Sequence, residues 1–172
     1  MKNIILKGLE LKTFTKQDAL DYCSINNINP LEVNLLKFVN NELTDISGIK
    51  LFKNLQQLFL QNNKIKDISV IINLNNLEKL YLFENKIKNI SFLKNLKNLK
   101  ELSLANNEIK DISVLKYLNN LKFLSINDLK LDSDQIQYIK SLEKLETLIS
   151  INGFKDMSIL DELNKRKLGI FK

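Results

Sequence analysis

The stretch that decides the fold runs from Leu77 to Leu118, LEKLYLFENKIKNISFLKNLKNLKELSLANNEIKDISVLKYL. Its two halves carry one apolar lattice. Leu77, Leu80, Leu82, Asn85, Ile87, Ile90, Leu93 and Leu96 are matched 22 residues later by Leu99, Leu102, Leu104, Asn107, Ile109, Ile112, Leu115 and Leu118. The preceding copy is Leu55, Leu58, Leu60, Asn63, Ile65, Ile68, Ile71 or Ile72, and Leu74, and Leu36, Phe38, Asn41, Leu43, Ile46, Ile49 and Phe52 keep the register before it. A fixed period of this length means stacked units that bury one continuous core, each resting on its neighbours.

The pattern L-x-x-L-x-L-x-x-N-x-I-x-x-I-x-x-L-x-x-L resembles the leucine-rich repeat family, in its short class of internalin-like bacterial repeats. Asp45-Ile46-Ser47, Asp67-Ile68-Ser69 and Asp111-Ile112-Ser113, with the variant Asn89-Ile90-Ser91, carry that second likeness. The resemblance covers about three quarters of the chain. It implies an α/β solenoid with a concave parallel β-sheet and short helical or 3-10 turns on the convex side. The family uses one scaffold for many partners, so it implies binding rather than a particular partner.

Within that frame the expected strands are Leu36–Phe38, Leu58–Leu60, Leu80–Leu82, Leu102–Leu104 and Leu124–Ile126. Asn41, Asn63, Asn85 and Asn107 should point inward and bond backbone groups that the following turn leaves unpaired. Asn62, beside them, is expected to tolerate alanine. The Asp of each Asp-Ile-Ser should cap the convex turn. In the fifth copy Leu129 stands where another asparagine is due, with Asn127 or Asp128 as a substitute. Asp132-Ser133-Asp134 and Gln135 then read as the start of a regular helix over Ser133–Lys144, with Ile136, Ile139 and Leu142 on one face. The lattice resumes at Ile149, Asn152, Phe154, Met157 and Leu160, with the register ambiguous by one residue between Leu145 and Ile149.

One domain over 1–172 is expected, with an N-terminal cap over 1–33, repeats over 34–160 and a charged C-terminal cap over 161–172. In the first cap Thr15 and Asp18 form a capping-box start, Ala19, Leu20, Tyr22 and Cys23 give an apolar helix face, and Asn29-Pro30 closes the helix. Ile4-Ile5-Leu6 reads as an edge strand. The apolar run in 1–11 is broken by Lys7 and Glu10, too short and too interrupted for a leader or a membrane span, so the chain reads as cytoplasmic. The resemblance also admits an exported protein.

Catalysis is not expected. The chain has no histidine, one cysteine and four glycines, none of them in a phosphate-loop arrangement. That removes Ser-His-Asp and Cys-His machinery, histidine metal ligands, disulfides and nucleotide loops, so no cofactor and no metal are expected. The formal charge of +6 comes from 25 lysines and Arg166, in a chain also rich in asparagine (24 residues) and isoleucine. An A/T-rich coding sequence would give that composition without selection for a basic surface. Lys66, Lys88 and Lys110 should line one flank beside Asp67 and Asp111, as a solvated charged edge.

Function is expected in the strand positions that alternate with the leucines, because period-two geometry turns them outward. They form three columns: Leu35, Gln57, Lys79, Glu101 and Phe123; Lys37, Phe59, Tyr81, Ser103 and Ser125; Val39, Gln61, Phe83, Ala105 and Asn127. Exposed aromatics grouped on a surface signify recognition. The expected partner-binding residues are therefore Lys37, Phe59, Gln61, Lys79, Tyr81, Phe83, Glu84, Glu101, Phe123 and Asn127. Phe123 is placed further along the face, and truncating Tyr81 or Phe83 is expected to leave stability unchanged. The expected partner is a protein held by the concave face of a monomer. An inhibitor or immunity-type protein that neutralises a toxin or enzyme is the narrower alternative. A basic nucleic-acid-binding protein is the alternative of another class, although neither nucleic acid nor membrane is expected as a partner.

Overall fold

The computed structural model describes residues 2–8, 10–163 and 168–171. Eight parallel strands form one open sheet in sequence order: β1 (Lys2–Lys7), β2 (Val33–Val39), β3 (Gln57–Phe59), β4 (Lys79–Tyr81), β5 (Glu101–Ser103), β6 (Phe123–Ser125), β7 (Thr147–Ile149) and β8 (Gly169–Phe171). Two helices lie outside the sheet, α1 (Lys16–Ile25) and α2 (Ile136–Lys140). From β3 on, the strands begin one residue before the expected spans. The ladder continues past their ends, as in Leu60 N–H to Tyr81 O (2.9 Å) and Leu82 N–H to Ser103 O (2.9 Å).

The sheet register is the repeat register: Leu36, Leu58, Leu80, Leu102 and Leu124 stand side by side, and all are fully buried. They join one core cluster that runs from Ile4 to Leu163. Behind the sheet the chain returns through 3-10 turns at Ser47–Leu51, Ser69–Ile71, Ser91–Asn95 and Ser113–Tyr117. Each opens with a carboxylate or amide oxygen accepting the serine N–H two residues on: Asp45, Asp67 and Asp111 at 2.7 Å and Asn89 at 2.9 Å. The fifth repeat is helical as expected, but the helix is shorter, a 3-10 turn at Ser133–Gln135 followed by α2, which ends at Lys140 rather than Lys144.

The asparagine ladder is built as read. Asn85 Nδ2 donates to Leu60 O (2.9 Å) and Leu82 O (3.0 Å) while its Oδ1 accepts from Ile65 N–H (3.0 Å), so one amide ties its own coil to the preceding one. Asn63 and Asn107 repeat the arrangement. In the fifth repeat Leu129 is buried, and Asn127 Oδ1 instead accepts from Ile151 N–H (2.9 Å). A second ladder, unread in the sequence, holds the opposite corner: Asn54, Asn98 and Asn120 donate to Leu31 O, Asn75 O and Lys97 O, each at 2.9 Å.

The caps differ in detail from their reading. Both capping-box bonds of Thr15 and Asp18 are present, and Ala19 and Cys23 are buried, whereas Leu20 is 42% exposed. Asn29-Pro30 does not close α1, which ends at Ile25; instead Asn29 caps a new 3-10 turn with Pro30 in first position, where a missing N–H is no loss. The cap rests on Gly48, whose N–H donates to Phe14 O (2.8 Å) and where a Cβ would stand 2.3 Å from Thr15 O. At the other end Leu160 and Leu163 enter the core and β8 extends the sheet, so the expected charged cap contains an eighth strand. Residues 164–167 and 172 of that cap lie outside the described residues.

Asn62 corrects an expectation. Its φ is +57°, a position shared at each repeat by Asn40, Glu84, Asn106, Asp128 and Asn152, where alanine pays a left-handed backbone penalty. We therefore expect Asn85→Ala to lower unfolding free energy by roughly 1–3 kcal/mol through orphaned backbone groups. Asn62→Gly should change it by a few tenths and Asn62→Ala by about 1 kcal/mol. Urea denaturation of the three variants checks this, and equal losses at positions 62 and 85 would refute the ladder's inward register.

Candidate functional site

The outward columns stand as expected: Leu35, Gln57, Lys79, Glu101 and Phe123 pair across the sheet, as do Lys37, Phe59, Tyr81, Ser103 and Ser125. What their side chains do differs from the reading. Phe59 and Tyr81 stack with ring centroids 5.2 Å apart, and Tyr81 leans over β5 to stack on Phe123 at 6.3 Å. Phe123 is thus a neighbour of Tyr81, not a residue further along. The Lys37 ammonium closes the row 5.8 Å from the Phe59 ring.

A polar triad runs beside this row. Glu101 accepts the Tyr81 hydroxyl at 2.6 Å through one oxygen and pairs with Lys79 Nζ at 2.8 Å through the other. Burial and the Glu101 hydrogen bond push the Tyr81 phenol well above its usual range. For Glu101, burial works upward, but the hydrogen bonds from Lys79 and Tyr81 and the Lys79 charge outweigh it and hold the carboxyl below its ordinary value.

Tyr81 is therefore a braced platform rather than a loose surface ring, which corrects the expectation that its truncation leaves stability untouched. Two stacked neighbours and a bond to a carboxylate together make Tyr81→Ala worth about 1–3 kcal/mol of stability. Phe83 is half-buried on the same face, without a ring stack, and is the cleaner probe of binding.

Of the remaining expected residues, Gln61 is half-buried, and its buried Oε1 has no hydrogen-bond partner among the described residues. Glu84 is exposed at the turn after β4, with φ +55°. Asn127 is engaged with Ile151, as described. The columns also run further than the sequence reading took them, to Ile5 on β1 and to Ile149 and Phe171 on β7 and β8. Ile5, Ile151 and Phe171 are 58%, 46% and 59% exposed. The resumed lattice is read one residue out of register at its start: Leu148 and Ser150 take the buried positions, Ile149 stands outward opposite Ser125, and Asn152 takes the left-handed turn position rather than the ladder; Phe171 lay in a stretch read as charged.

The flank lysines are offset by acids. Lys88 pairs with Glu108 (3.2 Å), Lys110 donates to Leu129 O (3.2 Å), and Lys66 and Lys88 share a groove with Asp67 and Glu108. Such exposed pairs contribute at most about 1 kcal/mol each. Cys23 is buried among apolar groups, and that burial raises its thiol pKa, which suits packing rather than reactivity.

Repeat length, a one-sheet parallel ladder and asparagine-held turns define a leucine-rich repeat solenoid. The leucine-rich repeat family model of two copies matches residues 75–117 and 97–137. No curated protein sequence matches the chain. Among solved structures, an internalin (inlF) from Listeria monocytogenes is 31% identical over 83% of this chain, with a TM-score of 0.74, and internalin C2 from the same species is 26% identical over 99%, also at 0.74. A plant peptide hormone receptor, RGFR1, solved in complex with RGF2, is 25% identical over 86% at 0.65. The chain spans 42% of the inlF structure, 78% of the internalin C2 structure and 24% of the receptor. It is an internalin-like leucine-rich repeat protein. No catalytic family appears among these matches, and among the described residues no helix is long and apolar enough to cross a membrane.

Two measurements test the site. Tyr81 should ionise late, and Tyr81→Phe should delete that late step from an alkaline titration of phenolate absorbance. By linkage, Tyr81 stabilises below its unfolded pKa near 10.0 and loses that contribution as pH rises further. Glu101, held low, contributes above about 4.5 and loses it as pH falls below. Loss of stability at both extremes should shrink in a Tyr81→Phe/Glu101→Gln variant. At position 84 the left-handed backbone favours asparagine over glutamate, so Glu84→Asn should raise stability by about 0.5–1 kcal/mol. A lower melting temperature for that variant would refute strain at Glu84.

Proposed function

We propose that the chain acts as one leucine-rich repeat unit that binds a partner protein through its sheet face. The observation that carries this reading is the row Phe59–Tyr81–Phe123, braced by Glu101 and Lys79 on the side away from the leucine core. The lattice needs no aromatic ring there. A braced ring loses little entropy on binding, and tyrosine is among the residues enriched in interface hot spots.

Phe83, Gln61, Glu84 and Lys37 complete the proposed contact surface on the same face. The receptor of similar fold is solved with a peptide hormone, which accords with recognition by such a scaffold. Neutralisation of a toxin or enzyme, as an inhibitor of cytoplasmic location, is a special case of the same contact.

The test uses the protein captured by the intact chain, purified and titrated against variants. Phe83→Ala should weaken binding by about 30-fold, as loss of a hot spot of about 2 kcal/mol does. Tyr81→Phe, which keeps the stack, should weaken it only a few-fold, and neutralising Lys66, Lys88 and Lys110 should leave it unchanged. Parent-like affinity in Phe83→Ala with loss in the lysine variant would move the site to the flank.

A further inference from the structure

Charge is not spread evenly around the solenoid. The return segments behind the sheet, residues 48–56, 70–78, 92–100, 114–122 and 136–146, hold nine lysines against three carboxylates, Glu78, Glu143 and Glu146. The turn segments 40–47, 62–69, 84–91, 106–113 and 128–134 hold nine carboxylates against six lysines. A compositional excess of lysine accounts for the total but not for this separation.

On the back face Glu78 is taken by Lys100 (2.8 Å) and Glu146 by Lys122 (2.7 Å). Apart from Lys140 and Lys144 at the α2 end, the latter donating to Asn120 Oδ1 (2.7 Å), the others are Lys50, Lys53, Lys94, Lys97 and Lys116, all exposed and, among the described residues, with no carboxylate within 4.0 Å of any of their ammonium groups. Lys50, Lys94 and Lys116 hold one repeat position, and Lys53 and Lys97 another. Beside Lys97 and Lys116 the Tyr117 ring is 43% exposed, with their ammoniums 5.0 Å and 5.1 Å from its centroid.

We propose that this back face is an electrostatic docking surface for an anionic lipid bilayer. Lysines are compact charges on flexible stems, without the planar fork by which arginine fixes single phosphates. Five of them spread over four repeats, with none in 70–78, suit a smeared negative field better than one strand of phosphates. A single-strand binder would need a file of free aromatic faces, and Tyr117 already lies between two ammoniums. A tyrosine among lysines is, in contrast, what sits at a headgroup layer. The sequence expectation of no membrane partner rested on the lack of an apolar span, which surface attachment does not require. Docked in this way, the chain would leave its sheet face free.

Co-sedimentation with phosphatidylcholine vesicles, with and without phosphatidylserine, tests the proposal. Parent protein should bind only the phosphatidylserine vesicles and come off as salt is raised. Each lysine near such a surface is worth about 5-fold in partition, so Lys94→Gln/Lys97→Gln/Lys116→Gln should lose about 100-fold. The charge-matched Lys66→Gln/Lys88→Gln/Lys110→Gln should lose far less. The triple arginine variant at 94, 97 and 116 should retain binding, which guards against misfolding of the glutamine variant. Equal loss in the two glutamine triples, absence of binding to phosphatidylserine vesicles, or displacement from them by a single-stranded oligonucleotide that binds the same lysines more tightly would each overturn the proposal.

Discussion

Everything in this solenoid depends on how a buried corner satisfies its backbone. A coil of about 22 residues must leave the sheet, turn, and return, and at the turn the ladder of strand bonds stops while the chain is still inside. Unpaired N–H and C=O groups there would cost about 1–3 kcal/mol each. A single buried amide removes three of them at once, because asparagine offers two donors and an acceptor on a stem short enough to stay within the coil. The residue before it takes φ near +55° to aim that amide inward. The left-handed residue and the ladder asparagine are thus one device, and Asn-Asn at 40–41, 62–63 and 106–107 is its signature.

That linkage explains what was legible and what was not. The period, the leucine lattice, the inward asparagines and the outward columns follow from spacing alone, because each is a rule about which side of the backbone faces the core. The opposite corner was equally periodic, with Asn54, Asn98 and Asn120 each just before a lattice leucine. It passed unread because an asparagine in a polar turn needs no explanation until its partner is seen. Asn62 was misread for a related reason: its side chain faces outward, but its constraint is in its backbone.

The ends obey different rules, since each cap must cover a coil with something other than another coil. Gly48 shows how. The position after the repeat serine is Val70, Phe92 and Val114 in the next three coils. In the first it is glycine, because the backbone of Phe14 and Thr15 lies where a side chain would be. That position lies outside the leucine–asparagine lattice, so its meaning required the cap to be in place. Beyond Leu160 no lattice remained to guide the reading. β8 pairs with β7 and packs Ile170 against the core, but Gly169 and Phe171 carry no periodic signal.

Lateral contacts within the outward columns were beyond spacing arguments altogether. Periodicity placed Tyr81 and Phe123 on different columns of non-adjacent strands, yet a tyrosine is long enough to cross the strand between them. It does so because Glu101, on that strand, holds its hydroxyl. The outward column of Tyr81 continues through Ser103 and Ser125, whose small side chains are buried although they face outward. Small residues on β5 and β6 and a large one on β4 are therefore parts of one arrangement. The aromatic row is a packed layer laid on the sheet, with its own hydrogen bond and ion pair. A partner meeting this face would meet a surface already ordered, so little of the contact energy would be lost in arranging the rings.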